Sequence, residues 1–360
     1  MPTIDDIAEI AKVNKSTVSR ALKDSYQISE AKKKEIKEIA FKIGYTDKKA
    51  AKNQRKRKNK TVGLIAPTFD RCNYYRNIIG SVERNSKKAG YALMVAQTNY
   101  CYEDEIYFLK LFSDKQVDGL LVCLYNKDQY KAHYEIIKKM ISKPIIYIDT
   151  SLDLIDKSMV SIDYSLGVDL AIGYLHRLKH EKIIYLGQFM ADQYKLGNYK
   201  NSMKKFGISF DDSCIYTGEE NLEYGGYVRM KEVLKDHKPP FAMFISHDTM
   251  ASGAMKAIFE AGYSVPKDIS MVSYGNNRES EYFPVPLTTI SHPVEEMGQI
   301  AVNLLVNEIE NPLGHSKQHI LLKPTIIIRD SAMEYGHQNN QRKEEQEETN
   351  EKNKSTEKNS

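Results

Sequence analysis

The chain has 360 residues, 41% of them hydrophobic and 28% charged, with a formal net charge of +4. That length suits two or three domains with substantial cores and excludes a single small module. Charge is unevenly held, since residues 1–60 carry 17 Lys and Arg against 8 Asp and Glu, a net +9 that leaves −5 for the rest; such a basic block attracts polyanions.

At the start of the chain, Ile4, Ile7, Ala8 and Ala11 recur at helical spacing, and Val13, Val18, Ala21 and Leu22 form a second apolar face immediately afterwards. Thr3 is placed to cap the first helix, with Asp5 and Asp6 in its opening turn. Asn14 is placed to cap the second, whose outer side would carry Lys15, Ser16, Ser19 and Arg20. A third helix, capped by Ser29 and stopped by Gly44, would roof the pair with Ala31, Ile36, Ile39, Ala40 and Ile43. Two short helices joined by a tight turn, the second with a short-chained basic face, predict a helix-turn-helix reading the DNA major groove.

Residues 47–60 lose apolar periodicity and run Lys-Lys-Ala-Ala-Lys-Asn-Gln-Arg-Lys-Arg-Lys-Asn-Lys from Lys48, which predicts a basic linker able to order on a phosphate backbone. From Val62 short apolar runs alternate with helical patterns: Val62–Ala66, Ala92–Ala96, Gly119–Leu124, Ile145–Ile148, Ile183–Leu186, Phe241–Ile245 and Ile269–Tyr274. This is the mark of βαβ units with parallel sheets covered on both faces. Beyond Ser331 the chain stays polar and shows no apolar heptad, so residues 332–360 are expected to be a disordered tail and the assembly a homodimer rather than a coiled-coil tetramer.

Four scattered cysteines without zinc or Cys-x-x-Cys spacing suit reduced thiols in a cytoplasm, and no signal segment or membrane-length apolar run is present. The expectation is a cytoplasmic protein without a membrane partner. Glycine-rich phosphate loops, Gly-x-Ser-x-Gly and metal-spaced His and Glu clusters are absent from the sequence, so no enzymatic activity, cofactor or metal is expected.

The run Thr3-Ile-Asp-Asp-Ile-Ala with Thr17-Val-Ser-Arg-Ala-Leu22 resembles the LacI/GalR family of bacterial transcriptional repressors. Further matches lie in Val117-Asp-Gly119, Asp163 with Gly167, Asp248-Thr-Met-Ala-Ser-Gly253, Pro286-Leu-Thr-Thr-Ile290 and Glu296-Met-Gly298. The resemblance implies a small all-α helix-turn-helix head (1–46), a hinge linker (47–60) and an α/β two-lobed periplasmic-binding-protein-like effector domain (61–331). One lobe would hold residues 61 to about 160 and take back about 291–320; the other would hold the intervening residues and a last strand near Ile326–Ile328.

By family position, Lys15, Ser16 and Arg20 are the base-reading residues, with Lys15 equally placed to meet a phosphate, while Thr3, Asn14, Thr17 and Ser19 would meet the DNA backbone. Ala51 and Gln54 belong to the hinge, where Gln54 replaces a leucine that wedges the minor groove, so Lys52, Arg55, Lys56 and Arg57 are expected to lean on phosphates. Lys12 stands where the family usually has a turn glycine. Double-stranded, pseudo-palindromic operator DNA is the implied partner. The implied effector is a small molecule, most simply a sugar or sugar derivative, held between the lobes by Tyr74, Tyr75, Asp149, Lys195, His247, Asp248 and Asn276. Lys195 replaces a ligand-clamping arginine, His247 an asparagine, and Gly275 an aspartate that commonly accepts from sugar hydroxyls. Two alternatives stay open: a global catabolite-type regulator with a phosphorylated carrier protein as co-repressor, and a sugar-binding receptor without a regulatory role.

Overall fold

The computed structural model describes residues 3–22, 25, 27–43, 60–69, 73–114, 117–123, 143–149, 157–188, 193–220, 222–312 and 316–336. The chain divides into two compact units, Met1–Lys60 and Thr61–Ser360.

In the first unit, α1 (Ile4–Ile10), α2 (Lys15–Leu22) and α3 (Glu30–Lys42) pack around Ile7, Val18, Ala21 and Ile36, each wholly buried. Thr3 and Asp6 form a reciprocal capping box on α1. The Asn14 carbonyl accepts from the Thr17 and Val18 amides to open α2. Lys12 adopts φ 50°, the left-handed conformation that a glycine would take more easily, and so the tight turn keeps its shape at a modest strain. Ala31, expected in the roof, is exposed. Its place on the inner face goes to the aliphatic stem of Lys33, whose ammonium reaches Glu30 at 2.6 Å while the stem is buried.

The second unit has two six-stranded sheets. One contains β1 (Thr61–Ala66), β2 (Ala92–Gln97), β3 (Gly119–Cys123), β4 (Ile145–Ile148), β5 (Ser158–Ile162) and β11 (His319–Leu322), all parallel in the order β11-β5-β4-β3-β1-β2. The other contains β6 (Ile183–Gln188), β7 (Ile215–Gly218), β8 (Phe241–Ile245), β9 (Ile269–Gly275), β10 (Thr288–Ser291) and β12 (Thr325–Ile327), in the order β12-β10-β9-β8-β6-β7. It is parallel except for the β10–β12 pair. Helices α4 (Asn73–Lys88), α5 (Tyr102–Asp114) and α10 (Val294–Glu310) pack on the first sheet, and α6 (Tyr164–Arg177), α7 (Gln193–Lys205), α8 (Leu222–Asp236) and α9 (Asp248–Glu260) on the second. Each sheet is therefore covered by apolar clusters on both faces, which is why β3, β4 and β8 are buried along their whole length.

The chain passes between the sheets three times, from β5 into α6 and β6, from β10 into α10 and β11, and from β11 into β12. Helix α10 is drawn tightly onto α4 because Gly298 has no side chain: a Cβ there would lie 2.6 Å from Ser81 Cβ. The apolar runs read from the sequence form strands, with Leu124 outside the described residues and the last strand ending at Ile327, which leaves Ile328 exposed. Four strands have no counterpart in that reading: β5, β7, β10 and β11.

Residues 332–336, expected to begin the polar tail, instead pack under the second sheet. The Tyr335 amide donates to Leu178 O at 2.7 Å, and His180 Nε2 meets Met333 O at 2.9 Å. Backbone hydrogen bonds and the Tyr335 ring against His180 hold what a polar composition alone left unanchored. Residues 337–360 lie outside the described residues. Among the described residues no helix is long and apolar enough to cross a membrane.

Candidate functional site

On the first unit, α2 turns Val18 and Ala21 inward, and the same geometry leaves Asn14, Lys15, Ser16 and Arg20 exposed, with Thr17 and Ser19 half-buried along the flanks. Thr3 is exposed at the start of α1. Lys15 reaches Asp5 of α1 at 2.5 Å, but both side chains are more than half exposed, so solvent screening keeps this pair weak and easily exchanged for a phosphate. The arrangement offers one guanidinium and one ammonium on a short-chained polar helix face. The hinge residues Ala51, Lys52, Gln54, Arg55, Lys56 and Arg57 lie outside the described residues.

On the second unit, strand ends gather the other predicted residues. Asp149 follows β4 with φ 55°, and its carboxylate accepts from the Tyr164 hydroxyl at 2.8 and 3.0 Å. Tyr74 and Tyr75 open α4, their rings 5.3 Å apart edge to face. Lys195, on α7 and 7% exposed, donates to Ser246 O at 2.8 Å and lies 3.4 and 3.5 Å from the ring nitrogens of His247 at the start of α9.

Three residues that the sequence reading did not name complete this group. The His292 ring lies 4.6 Å from Tyr74, 4.8 Å from Tyr274 and 6.0 Å from Tyr164, and Lys195 Nζ sits 5.1 Å from the centre of the Tyr274 ring. Tyr164 opens α6 and His292 follows β10, at two of the crossings. Tyr274 ends an apolar strand and reads as core.

Burial pushes the Tyr74 and Tyr164 hydroxyls well above the ordinary phenol range, and the Asp149 carboxylate adds to the shift. Burial likewise holds His292 well below the usual imidazole value, reinforced by Lys195 and His247. Its Nδ1 is sealed from solvent and has no hydrogen-bond partner among the described residues. The site thus has an acceptor pole at Asp149 and a nitrogen-rich pole at Lys195, His247 and His292, separated by aromatic rings.

Asp248 and Asn276 stand behind this surface. Asp248, 1% exposed, accepts from the Ser273 hydroxyl, from the Thr289 hydroxyl at 2.6 Å and from the Asn277 amide at 2.6 Å. Asn276, at φ 50°, donates through Nδ2 to Ser291 Oγ at 3.1 Å and accepts from Arg329 at 2.9 Å. Arg329 was missed because 53 residues separate it from its partner.

Residues 3–47 match the family model for bacterial regulatory proteins of the lacI family, and residues 172–332 match that for a periplasmic binding protein-like domain. The ribose operon repressor of Haemophilus influenzae is 30% identical over 334 residues, covering 92% of this chain and 98% of that protein. Among solved structures, a transcriptional regulator CelR–cellobiose complex superposes with a TM-score of 0.67 at 23% identity, covering 92% of this chain and 100% of the other. The lac repressor dimer bound to operator and the anti-inducer ONPF gives 0.69 at 21%, covering 92% and 99%. At these identities the structural likenesses establish the fold.

Proposed function

This chain belongs to the lacI family of bacterial regulatory proteins and is a DNA-binding transcription regulator under small-molecule control, and from that premise we propose that it is a repressor whose effector is a sugar or sugar derivative. The observation that carries the DNA assignment is the exposed face of α2, where Lys15, Ser16 and Arg20 stand clear of a core closed by Val18 and Ala21. Arg20 takes guanine through O6 and N7, Lys15 and Ser16 meet neighbouring base edges, and Thr3, Asn14, Thr17 and Ser19 fix the register on phosphates. One such head buries little surface, so a homodimer on a two-fold operator is the working form.

The effector lies between Asp149 and the Lys195–His247 pair, with Tyr74 and Tyr75 packing on its apolar faces. A sugar-class ligand is supported by the ribose operon repressor among the relatives and by aromatic rings beside hydrogen-bonding groups. Asp248 and Asn276 act by holding the floor of the site, through Ser273, Thr289, Asn277 and Arg329. The protein works in the cytoplasm, beside its DNA, and releases its effector chemically unchanged.

The test is selection of duplexes from a randomised pool by the full-length chain, repeated with a panel of sugars. Enrichment of a two-fold sequence, released or tightened by one sugar class, is the expected result; a pool that emerges unenriched under every condition overturns the reading.

A further inference from the structure

Resting on the effector reading above, we propose that Arg329 is a positioning residue of the cleft: its guanidinium ties the loop after β9, through Asn276, to the crossing that leads from β10 into α10. Nη1 donates to Leu287 O at 2.7 Å and lies 3.5 Å from Ser280 Oγ, and Nη2 donates to Asn276 Oδ1 at 2.9 Å. The Asn276 amide passes the link on by donating through Nδ2 to Ser291 Oγ at 3.1 Å, while its backbone N–H donates to Thr289 Oγ1 at 3.2 Å. Two hydrogen bonds therefore separate the guanidinium from Ser291, the last residue of β10. The next residue is His292, whose ring lies against Tyr74 and Tyr274.

An arginine has donors only, which settles that Oδ1 of Asn276 faces it and that Nδ2 is turned to Ser291. Its donors form a rigid planar fork, so holding Leu287 O and Asn276 Oδ1 at once fixes where Asn276 stands relative to the start of β10. Asn276 has φ 50°, a left-handed conformation that asparagine tolerates better than most residues. The backbone thus shapes the loop, and the side chain attaches it. The segment that carries Arg329 is held without its guanidinium. Arg329 N donates to Thr288 Oγ1 at 2.9 Å, Asp330 N to Pro286 O at 3.0 Å, Met271 N to Ser331 O at 2.7 Å and Ser331 Oγ to Met271 O at 2.6 Å. What the guanidinium adds is orientation. Since both ends of the Asn276 amide are engaged within the protein, this residue acts on a ligand through the position of the loop rather than by contact. A ligand that presses on the end of β9 moves Asn276, and the movement reaches Ser291 and His292 through the same bonds.

The experiment measures amide hydrogen exchange of the full-length chain without added sugar, in wild type, Arg329→Gln, Asn276→Gly and the double variant. Glycine takes a positive φ without strain, so Asn276→Gly removes the amide and keeps the loop conformation. Each single variant should speed exchange about tenfold in two segments together, 275–282 and 288–297, the effect of losing one hydrogen bond to a charged group, while β8 and α8 keep their protection. The double variant should add nothing to the larger single effect, because the two side chains form one link. Faster exchange in only one of the two segments, additive effects, or acceleration spread evenly into β8 overturns the proposal. Binding of D-ribose, D-glucose and D-galactose, and their effect on affinity for the duplex enriched from the randomised pool, separates this link from the effector reading. A sugar that shifts operator affinity in wild type, commonly by about 5- to 150-fold in coupled proteins, should bind Arg329→Gln within about threefold of wild type and shift operator affinity at least about threefold less. Full retention of that shift overturns the positioning role. No response of wild type to any of the sugars counts against the effector reading alone, and the exchange result still decides the link.

Discussion

Asp248 was named from the sequence as an effector contact, and its surroundings assign it a different and measurable role. Its carboxylate takes the hydroxyls of Ser273 and Thr289, which face one another across β9 and β10, and the amide of Asn277 just beyond β9. The first turn of α9 is thereby pinned to two strands and to the loop that carries Asn276. In Asp248→Ala, two hydroxyls and one amide lose their acceptor. The hydroxyls can rotate toward other groups, at about 1 kcal/mol each, whereas the amide cannot, at about 2 kcal/mol, so the total is roughly 4 kcal/mol. Asp248→Asn keeps an oxygen for the Asn277 amide and turns its NH2 to the hydroxyls. It exchanges charge-assisted for neutral bonds, about 0.5–1 kcal/mol apiece or roughly 2 kcal/mol in all. Urea unfolding of the full-length chain, followed by circular dichroism and by the fluorescence of its 24 tyrosines in the absence of tryptophan, gives the order wild type, Asn, Ala. With an m-value of about 3 kcal/mol/M the midpoints fall by about 0.7 and 1.3 M. A side chain that touched only ligand would leave both midpoints within about 0.2 M, and that outcome would refute the keystone role.

Four other outcomes are expected. Arg20→Ala, at an exposed position, should leave stability unchanged and lower discrimination between the selected operator and a scrambled duplex by about 1–3 kcal/mol while weak, salt-sensitive binding persists; an unaltered ratio in a mobility-shift titration contradicts the assignment. Gly167→Ala places a methyl group 2.7 Å from Tyr274 Cζ, so the ring must move, and overpacking of about 1–3 kcal/mol should offset the gain in helix propensity and weaken effector binding. Gly197→Ala, exposed in α7 with no atom near the added carbon, should instead stabilise the chain by about 0.5–1 kcal/mol; equal effects at the two glycines count against the packing explanation. Because burial depresses His292, the unfolded chain takes up a proton below its usual imidazole range that the folded chain refuses, and stability is lost as pH falls through that window. Between pH 7.5 and 5.5 His292→Gln should lose about 1 kcal/mol less than wild type in urea unfolding, and parallel losses would show that His292 is protonated in the fold.

Continuous apolar strands were legible because burial on both sheet faces demands them: Leu120-Leu-Val-Cys123 and Phe241-Ala-Met-Phe-Ile245 admit little else. Ser158-Met-Val-Ser-Ile162 and Thr288-Thr-Ile-Ser291 were not legible, since their inward hydroxyls are satisfied by groups far along the chain. Ser158 donates to Glu308 at 2.6 Å, and Thr288 to Arg329 O at 3.1 Å. A buried hydroxyl with a distant partner looks locally like a surface residue. The same reason divides the cleft. Tyr74, Tyr75, Asp149, Lys195 and His247 came from family position, whereas Tyr164, Tyr274 and His292 meet because two crossings bring the starts of α6 and of the β10–α10 segment beside the end of β9, which no window of sequence contains. Attention to the two residues that follow β5 and β10 would have recovered Tyr164 and His292.

The position of His292 also bears on how a ligand could be felt. Tyr74 belongs to the core of the first lobe and Tyr274 to that of the second, and the His292 ring touches both while its own segment passes from β10 to α10. Each aromatic pair is worth about 0.5–1.5 kcal/mol beyond its buried area, so two pairs made or broken together amount to about 1–3 kcal/mol. That is the size of a typical coupling free energy between two sites. A ligand spanning Asp149 and Lys195 must fix the separation of the lobes in order to satisfy both ends, and it can favour one arrangement only by as much as its affinity differs between the two. A compound that filled one pole and left the other unmet would bind without shifting the lobes. On the proposed effector reading, the difference in affinity for the two lobe arrangements, rather than affinity alone, decides which bound molecules act as effectors.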